Sequence, residues 1–424
     1  MAAFTPPALI EGKREWAGVA ALFSLLFLLH VGWYYYRYVT LMRKPFIVVE
    51  ATAVDTYVKQ KGTYRYRVVK ADTDNGWRIY TTLPLRYDIK KHRIKLRLLI
   101  QDSHITFVDI LRRFYVKSRL IRDEGEVRSG KTYVVRHVAS QHSRDETAAL
   151  YNALFFAEPL PKALRERLAA LGVSHLVALS GFHIGIVAAL LYTLLRPMYR
   201  MYQRRFAPYR SEWVDLGAIV SVLSGMLLWF VGAPDSLVRA YVMSVVLWLA
   251  TVIGVKVVDF TLLAVTVAVL LAFYPPFVLS VGFWLSVAGV GYIFLLLQYG
   301  GAWIKRHPYL GWSVIPVGVF VLMAPFVHYF FDTASLWQLF SPFVSVVFTL
   351  FYPLSMLLHL VGYGDAFDTA LSTMLHYPIK TFTLHTPLWA FIAYTVLSFA
   401  AIKSRTAFVV LLTTATAFLF YGYA

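Results

Sequence analysis

The sequence predicts a polytopic α-helical membrane protein of about 9–10 transmembrane segments with a small extramembrane β domain near its N-terminus. Three observations predict it. Of the 424 residues 58% are hydrophobic and only 15% charged, whereas soluble domains carry about 25% charged residues. Apolar runs long enough to cross a bilayer recur along most of the chain. Between them, one stretch switches to a period of two and is strongly basic: positions 43–136 hold 22 Lys and Arg against 10 Asp and Glu, twelve of the eighteen net positive charges. A basic block of that size implies an anionic partner, nucleic acid or lipid headgroups.

The first apolar segment, residues 16–36, follows Lys13 and Arg14. It is longer than the core of a signal peptide, and Trp33, Tyr34, Tyr35 and Tyr36 follow it where a cleavage site would need small residues. It reads as an uncleaved anchor, residues 1–42, with an aromatic belt at its far end. Residues 43–125 read as a basic antiparallel β domain, barrel-like and OB-like. Asp74-Asn75-Gly76 is a hairpin turn. Alternation puts Ile94, Leu96 and Leu98 on one face and Arg93, Lys95 and Arg97 on the other. Tyr64, Tyr66 and Trp77 interleave with Arg65, Arg67 and Arg78. Aromatics beside cations are what a single-stranded nucleic-acid surface requires, so these nine side chains are the candidate binding set.

Residues 107–115 predict a short helix. Gly125 to Thr132 matches the pattern of a phosphate-binding loop. The residues before it do not form a buried strand, so a polar linker is the better reading. Residues 147–157 and 164–171 predict short amphipathic helices lying along the membrane, within a linker at 126–172. Residues 173–424 form the membrane domain. Its further spans are expected at 173–197, 214–231, 236–253, 257–273, 277–298, 311–331, 336–361, 388–402 and 407–420. Pro342 and Pro353 suggest that the segment at 336–361 is broken into a re-entrant hairpin. The basic loop at 198–210 and the pair Lys305 and Arg306 place those loops in the cytoplasm. Counting back, the N-terminus is cytoplasmic and the β domain outside.

Within the membrane domain the segment VSHLVALSGFHIGIVAALLYTLLRP, 173–197, has too many polar groups for lipid. His175, Ser180 and His183 are candidate pore-lining residues, joined by Arg239 and Ser286 on later spans; such groups normally face a bundle interior or a water-filled path. Gly181, Gly185 and Gly282 are candidate helix-packing positions. Asp235 stands one turn before Arg239 as its possible partner. With no cysteine in the chain there is no disulfide and no thiolate metal site. No metal ligand set and no cofactor is expected.

Ser174 to Gly185, SHLVALSGFHIG, resembles the signature of the ComEC competence family, inner-membrane DNA-uptake channels. Further similarity follows in order at Ala233–Ala240, at Ser280–Ser286 with Trp284 where the family commonly has Gln, and at Ala324-Pro325. The match near Ser341-Pro342 is poor. The resemblance implies translocation of single-stranded DNA across the bacterial cytoplasmic membrane during natural transformation, without enzymatic activity. It also implies a separate DNA receptor and a separate ATP-driven motor and nuclease; membrane lipids are a further expected contact, and a homo-oligomer is left open. Larger members carry a C-terminal metallo-β-lactamase-like domain whose motif does not occur here, so a short form is expected. The alternatives are a transporter or channel for a small anionic solute, a membrane-bound hydrolase built on Ser180 and His183, and a non-catalytic membrane scaffold.

Overall fold

The computed structural model describes residues 12–255 and 260–423. The first eleven residues of the expected anchor, the start of the expected span at 257 and the last residue lie outside that range. The described residues divide into two compact units, 12–134 with 268–280, and 135–267 with 281–423.

The first unit opens with α1, Lys13–Met42, a helix of 30 residues and about 45 Å. It runs past the end of the apolar segment expected at 16–36 without a break and stops where the anchor was expected to end. Its last turns leave the aromatic belt and enter a protein core, where Leu41 is buried and Tyr34, Tyr38 and Met42 pack. The core belongs to a six-stranded sheet formed by β1 (Phe46–Lys61), β2 (Tyr64–Thr73), β3 (Arg78–Leu83), β4 (His92–Leu99), β5 (Phe114–Tyr115) and β6 (Lys117–Glu126). Its order is β5-β3-β2-β1-β4-β6. Neighbours are antiparallel except β3 and β5.

Only Val116 separates β5 from β6. Its N–H donates to the Tyr80 carbonyl at 2.9 Å, and Thr81 and Ser118 share a hydroxyl hydrogen bond of 2.6 Å. One stretch of chain therefore joins both edges of the sheet, so the sheet curls on itself. β1 supplies the bend: it pairs with β4 over Phe46–Thr52 and with β2 from Ala51 on, and the ladder with β2 carries a bulge between Ala53 and Asp55. The alternation expected at 93–98 holds: Ile94, Leu96 and Leu98 are buried while Arg93, Lys95 and Arg97 point away. The hairpin at Asp74-Asn75-Gly76 also holds, with Gly76 at φ +78° and its N–H on the Thr73 carbonyl.

The expected helix at 107–115 is one turn, α2 (Phe107–Ile110). Thr106 and Asp109 cap it reciprocally, and the Thr106 hydrogen bonds hold the Asp109 carboxyl below its ordinary value. After Arg112 and Arg113 the chain extends to pair with β3, which a longer helix would forbid. The sequence at Gly125–Thr132 ends β6 and opens α3, Gly130–Ala139. Its loop is three residues long, and the Thr132 hydroxyl donates to the Val127 carbonyl at 3.0 Å. No wrapped anion cradle forms there.

The second unit continues with α4 (Asp145–Phe156), α5 (Lys162–Ala170), α6 (Ser174–Val177), α7 (Gly181–Phe206), α8 (Glu212–Phe230), α9 (Asp235–Val252), the first part of α10 (Phe260–Phe273, whose residues from 268 on belong to the first unit), α11 (Val281–Arg306) and α12 (Pro308–Phe330). Then come β7 (Thr333–Ala334), α13 (Ser341–Leu360), α14 (Asp368–His376), β8 (Phe382–Thr383), α15 (Leu388–Ala401) and α16 (Arg405–Tyr423). Among the described residues eight helices are long and apolar enough to cross a membrane, α1 included. The chain is a multi-pass membrane protein. Two expected spans, now α10 and α15, have 14 residues each, about 21 Å against a hydrocarbon core of about 30 Å.

Three expectations change here. α13 is continuous through Pro353, with Pro342 in its first turn, so it is not split into a re-entrant hairpin. The basic stretch after Pro197 is helical, because α7 runs on to Phe206 and its Arg196 and Arg200 both reach Glu212. The loop is left with 207–211, where Arg210 chelates Asp215 at 2.6 and 2.7 Å and is held more basic by it. Finally, α4 does not lie along a surface. Its residues from Thr147 to Phe155 are nearly all buried, packed with α5, α6, α13 and α14 residues in one core.

Candidate translocation site

The segment expected to cross as one helix from 173 is interrupted. After α6 the backbone extends through Ala178 and Ser180 and restarts at Gly181. Polar contacts to the preceding loop hold the restart. Ser335 donates to the Ala170 carbonyl, Gln338 to Ala169 at 3.0 Å, and Ser341 to Gly172 at 2.9 Å. Gly172 sits at φ +74°, and a Cβ there would lie 2.9 Å from the Gln338 Cα, so only glycine fits without strain.

Ser180 is the N-cap of α7. Its backbone N–H donates to Nδ1 of His183 at 3.2 Å. His183 is 2% exposed, its ring edge-on to Tyr352 at 4.7 Å and to Phe348 at 5.5 Å. With Nδ1 accepting, the ring proton is on Nε2, a buried atom without a hydrogen bond of normal geometry among the described residues; the Leu176 carbonyl is the backbone acceptor that acts on the ring. A buried donor held this loosely is one that a ligand or water would satisfy better.

Gly181 faces α9, where an added Cβ would be 3.3 Å from that of Ala240. Its role in packing is a close approach. Gly185, expected to share it, faces open space and does not. On α9, Arg239 is 6% exposed. It donates to the Gly282 carbonyl on α11 at 3.1 Å, with its guanidinium 5.9 Å from the Phe283 ring. The expected glycine at 282 thus contributes a carbonyl. Ser286, half-buried, stands one turn further along α11. His175 is exposed on α6, its Nε2 3.3 Å from the Ser345 hydroxyl.

The structure therefore brings the opening turns of α7, α9 and α11 side by side. Each helix N-terminus carries about half a positive charge. Together with Arg239 and the buried N–H of His183 they form a donor-rich, partly electropositive spot inside an apolar bundle, with Asp235 in the first turn of α9 offsetting part of the positive charge. Sequence reasoning missed the role of Phe348, Tyr352 and the Ser335–Ser341 segment. The Ser-Gly pair at 180–181, an N-cap residue before a helix, was the signal available.

The nine candidate residues of the β domain separate into groups. Tyr64 is 65% exposed near the tip of the β1–β2 hairpin, its ring stacked on that of Tyr66 at 6.1 Å and 22°. Arg65 is exposed between them and bonded to Gln60. Trp77 is 7% exposed, edge-on to Phe114 with the Arg37 guanidinium 3.9 Å above it, so its faces are closed to a base. Arg67 pairs with Asp88 at 3.1 Å. Arg93 pairs with Asp74 at 2.6 Å and Glu50 at 3.0 Å, and Lys95 lies 3.7 Å from Glu50. The Arg93 hydrogen bond holds the Glu50 carboxyl below its ordinary value. Arg97 covers the Phe46 ring at 4.9 Å, and Arg78 is half-buried on β3 opposite Asp72. Much of the positive charge is thus balanced locally, and the hairpin tip keeps the accessible aromatic-basic surface.

No group of three or more His, Cys, Asp or Glu among the described residues is arranged to hold a metal ion.

Residues 156–423 match the Competence protein family. The chain belongs to that family. No curated protein and no solved structure matches the chain at significant similarity. The Competence match begins at the end of α4 and takes in every helix of the electropositive spot, which ties those helices to DNA uptake at the level of the family.

Proposed function

We propose that this Competence-family protein conducts single-stranded DNA across the bacterial cytoplasmic membrane, with its N-terminus inside and the β domain outside. The observation that carries the reading is the gathering of three helix starts with buried Arg239 and the buried Nε2–H of His183. A single strand carries about one negative charge per 3.4 Å. A path for it needs donors and fixed positive charge on its wall.

The β domain supports the same reading. Read with β5 and β6 as one bent strand, the order β5-β3-β2-β1-β4-β6 supports an OB-like barrel as part of this proposal. The hairpin between its first two strands, a surface that OB folds use for oligonucleotides, carries the Tyr64/Tyr66 stack. In this reading the chain catches and passes DNA without cleaving it. Receptor, motor and nuclease are separate partners, and further copies of the chain complete the conduit.

The test is uptake of labelled DNA into the cytoplasm of a transformable host lacking the endogenous protein and carrying Arg239→Ala or His183→Ala. Reduced cytoplasmic label at normal protein level is expected from each. Full uptake by both would remove the proposed path.

A further inference from the structure

Away from the three helix starts, the second unit contains a closed polar cluster whose partners are more than 200 positions apart in sequence. His142, in the loop between α3 and α4, has a fully buried side chain. Its Nδ1 lies 2.9 and 3.1 Å from the two carboxylate oxygens of Asp368 at the start of α14. Its Nε2 lies 3.1 Å from Nε2 of His359 near the end of α13. His359 in turn places Nδ1 2.6 Å from the Ser355 carbonyl.

Proton counting decides what this arrangement contains. A carbonyl oxygen only accepts, so Nδ1 of His359 carries a hydrogen. An ionised Asp368 also only accepts, so Nδ1 of His142 carries one too. If both rings were neutral, each Nε2 would then present a lone pair, and two lone pairs would face each other in a buried site with no solvent to separate them. A contact of 3.1 Å in that state is repulsive, whereas it is a normal length for N–H···N. If Asp368 instead carried the proton and donated it to His142, the number of protons in the cluster would be the same.

We infer that Asp368, His142 and His359 bind one proton as a unit, in excess of a carboxylate and two neutral rings, and that this proton clasps the α3–α4 loop to α13 and α14. It comes from water, and the cluster that takes it up is electrically neutral, since the single positive charge sits against the Asp368 carboxylate. A buried chain of charge-assisted hydrogen bonds is stable only when every member is satisfied. The titration belongs to the group and not to one ring.

The surroundings fit a sealed proton site. Tyr151 of α4 stacks on His142 at 4.7 Å and 7°, and meets His359 at 4.5 Å. Phe155 closes the other approach to His359 at 5.0 Å. Gln141 donates to the His359 carbonyl and accepts from the Gly364 N–H. The other ionisable groups facing the pair are His137 of α3, which meets Gln141 at 3.4 Å, and Arg144, which is bonded to Ser372. A metal ion fits less well. Two imidazoles on one zinc, each at about 2.0–2.1 Å in tetrahedral geometry, would hold their nitrogens about 3.3 Å apart or more, and no third ligand joins them.

The deciding measurement is histidine-selective 15N NMR of the full chain in nanodiscs near neutral pH, with His359→Gln used to assign the pair. One hydrogen-bonded Nε2–H, lost in the variant, is expected. Two Nε2 atoms both reporting bare lone pairs would overturn the inference, as would signals that move on adding a chelator or zinc.

Discussion

Nδ1 of His183 accepts the backbone N–H of Ser180 at 3.2 Å, so a histidine occupies the place that Glu or Gln usually takes in a capping box. The same contact fixes the tautomer and leaves Nε2–H buried without a hydrogen bond of normal geometry from the described residues. Helix start and candidate ligand group are therefore one side chain.

His183→Gln should preserve the cap, and His183→Ala should lose it at a cost of about 0.5–2 kcal/mol, plus the loss of packing against Tyr352. Thermal unfolding in detergent separates the two. An alanine variant as stable as wild type would show that the cap contributes nothing.

Gly172→Ala should destabilise by about 1–3 kcal/mol, because the backbone is at positive φ and the new methyl meets the Gln338 backbone. Gly185→Ala, in open space, should change stability by less than about 1 kcal/mol. Melting temperatures of the two purified variants give the comparison, and the reverse order would refute the assigned geometry.

Tyr64→Ala and Tyr66→Ala should each weaken binding of single-stranded DNA by about 1–3 kcal/mol, roughly 5- to 150-fold, while leaving the fold intact. Trp77→Ala should instead cost about 3–5 kcal/mol of stability through its buried ring. Fluorescence anisotropy of a labelled oligonucleotide at two salt concentrations reads the first effect. Binding insensitive to salt would contradict electrostatic capture.

Glu50, on β1, predicts an acid limb. Its carboxyl is held below the ordinary value of 4.5, chiefly by the Arg93 hydrogen bond. A lowered folded-state value contributes stability that is present above pH 4.5 and lost as the pH falls through the lowered value. Hydrogen exchange over residues 46–61 of the full chain, corrected for intrinsic rate, should show protection declining below that pH. Glu50→Gln should flatten the decline; an unchanged slope would exclude the pair as its source.

What was readable in the sequence follows from how local each signal is. The turn at Asp74-Asn75-Gly76 and the alternation at 93–98 are set by neighbouring residues, and both appear as expected. β6 was harder to read because Arg119, Arg122, Asp123 and Glu124 blur its alternation, and its strand is specified by pairing to β4. α4 reads as interfacial because Thr147 and Asn152 interrupt its apolar pattern, yet both are buried. The polar residues at 175, 180, 183 and 239 were visible as an oddity in an apolar context. Their arrangement was not, since Arg239 finds Gly282 only once three helices have packed. The cluster of His142, His359 and Asp368 leaves no local trace.

The unbroken course of α1 has a geometric consequence. The same rod that is apolar enough to cross the bilayer ends inside the β-domain core through Leu41 and Tyr38, so the azimuth of that domain is locked to the phase of the helix. Each residue advances an α-helix by about 100°. Inserting one alanine between Gly32 and Trp33 would swing the hairpin tip around the helix axis like a misindexed gear, with every contact within the domain preserved. Inserting seven, close to two full turns, would bring it back nearly to its original bearing.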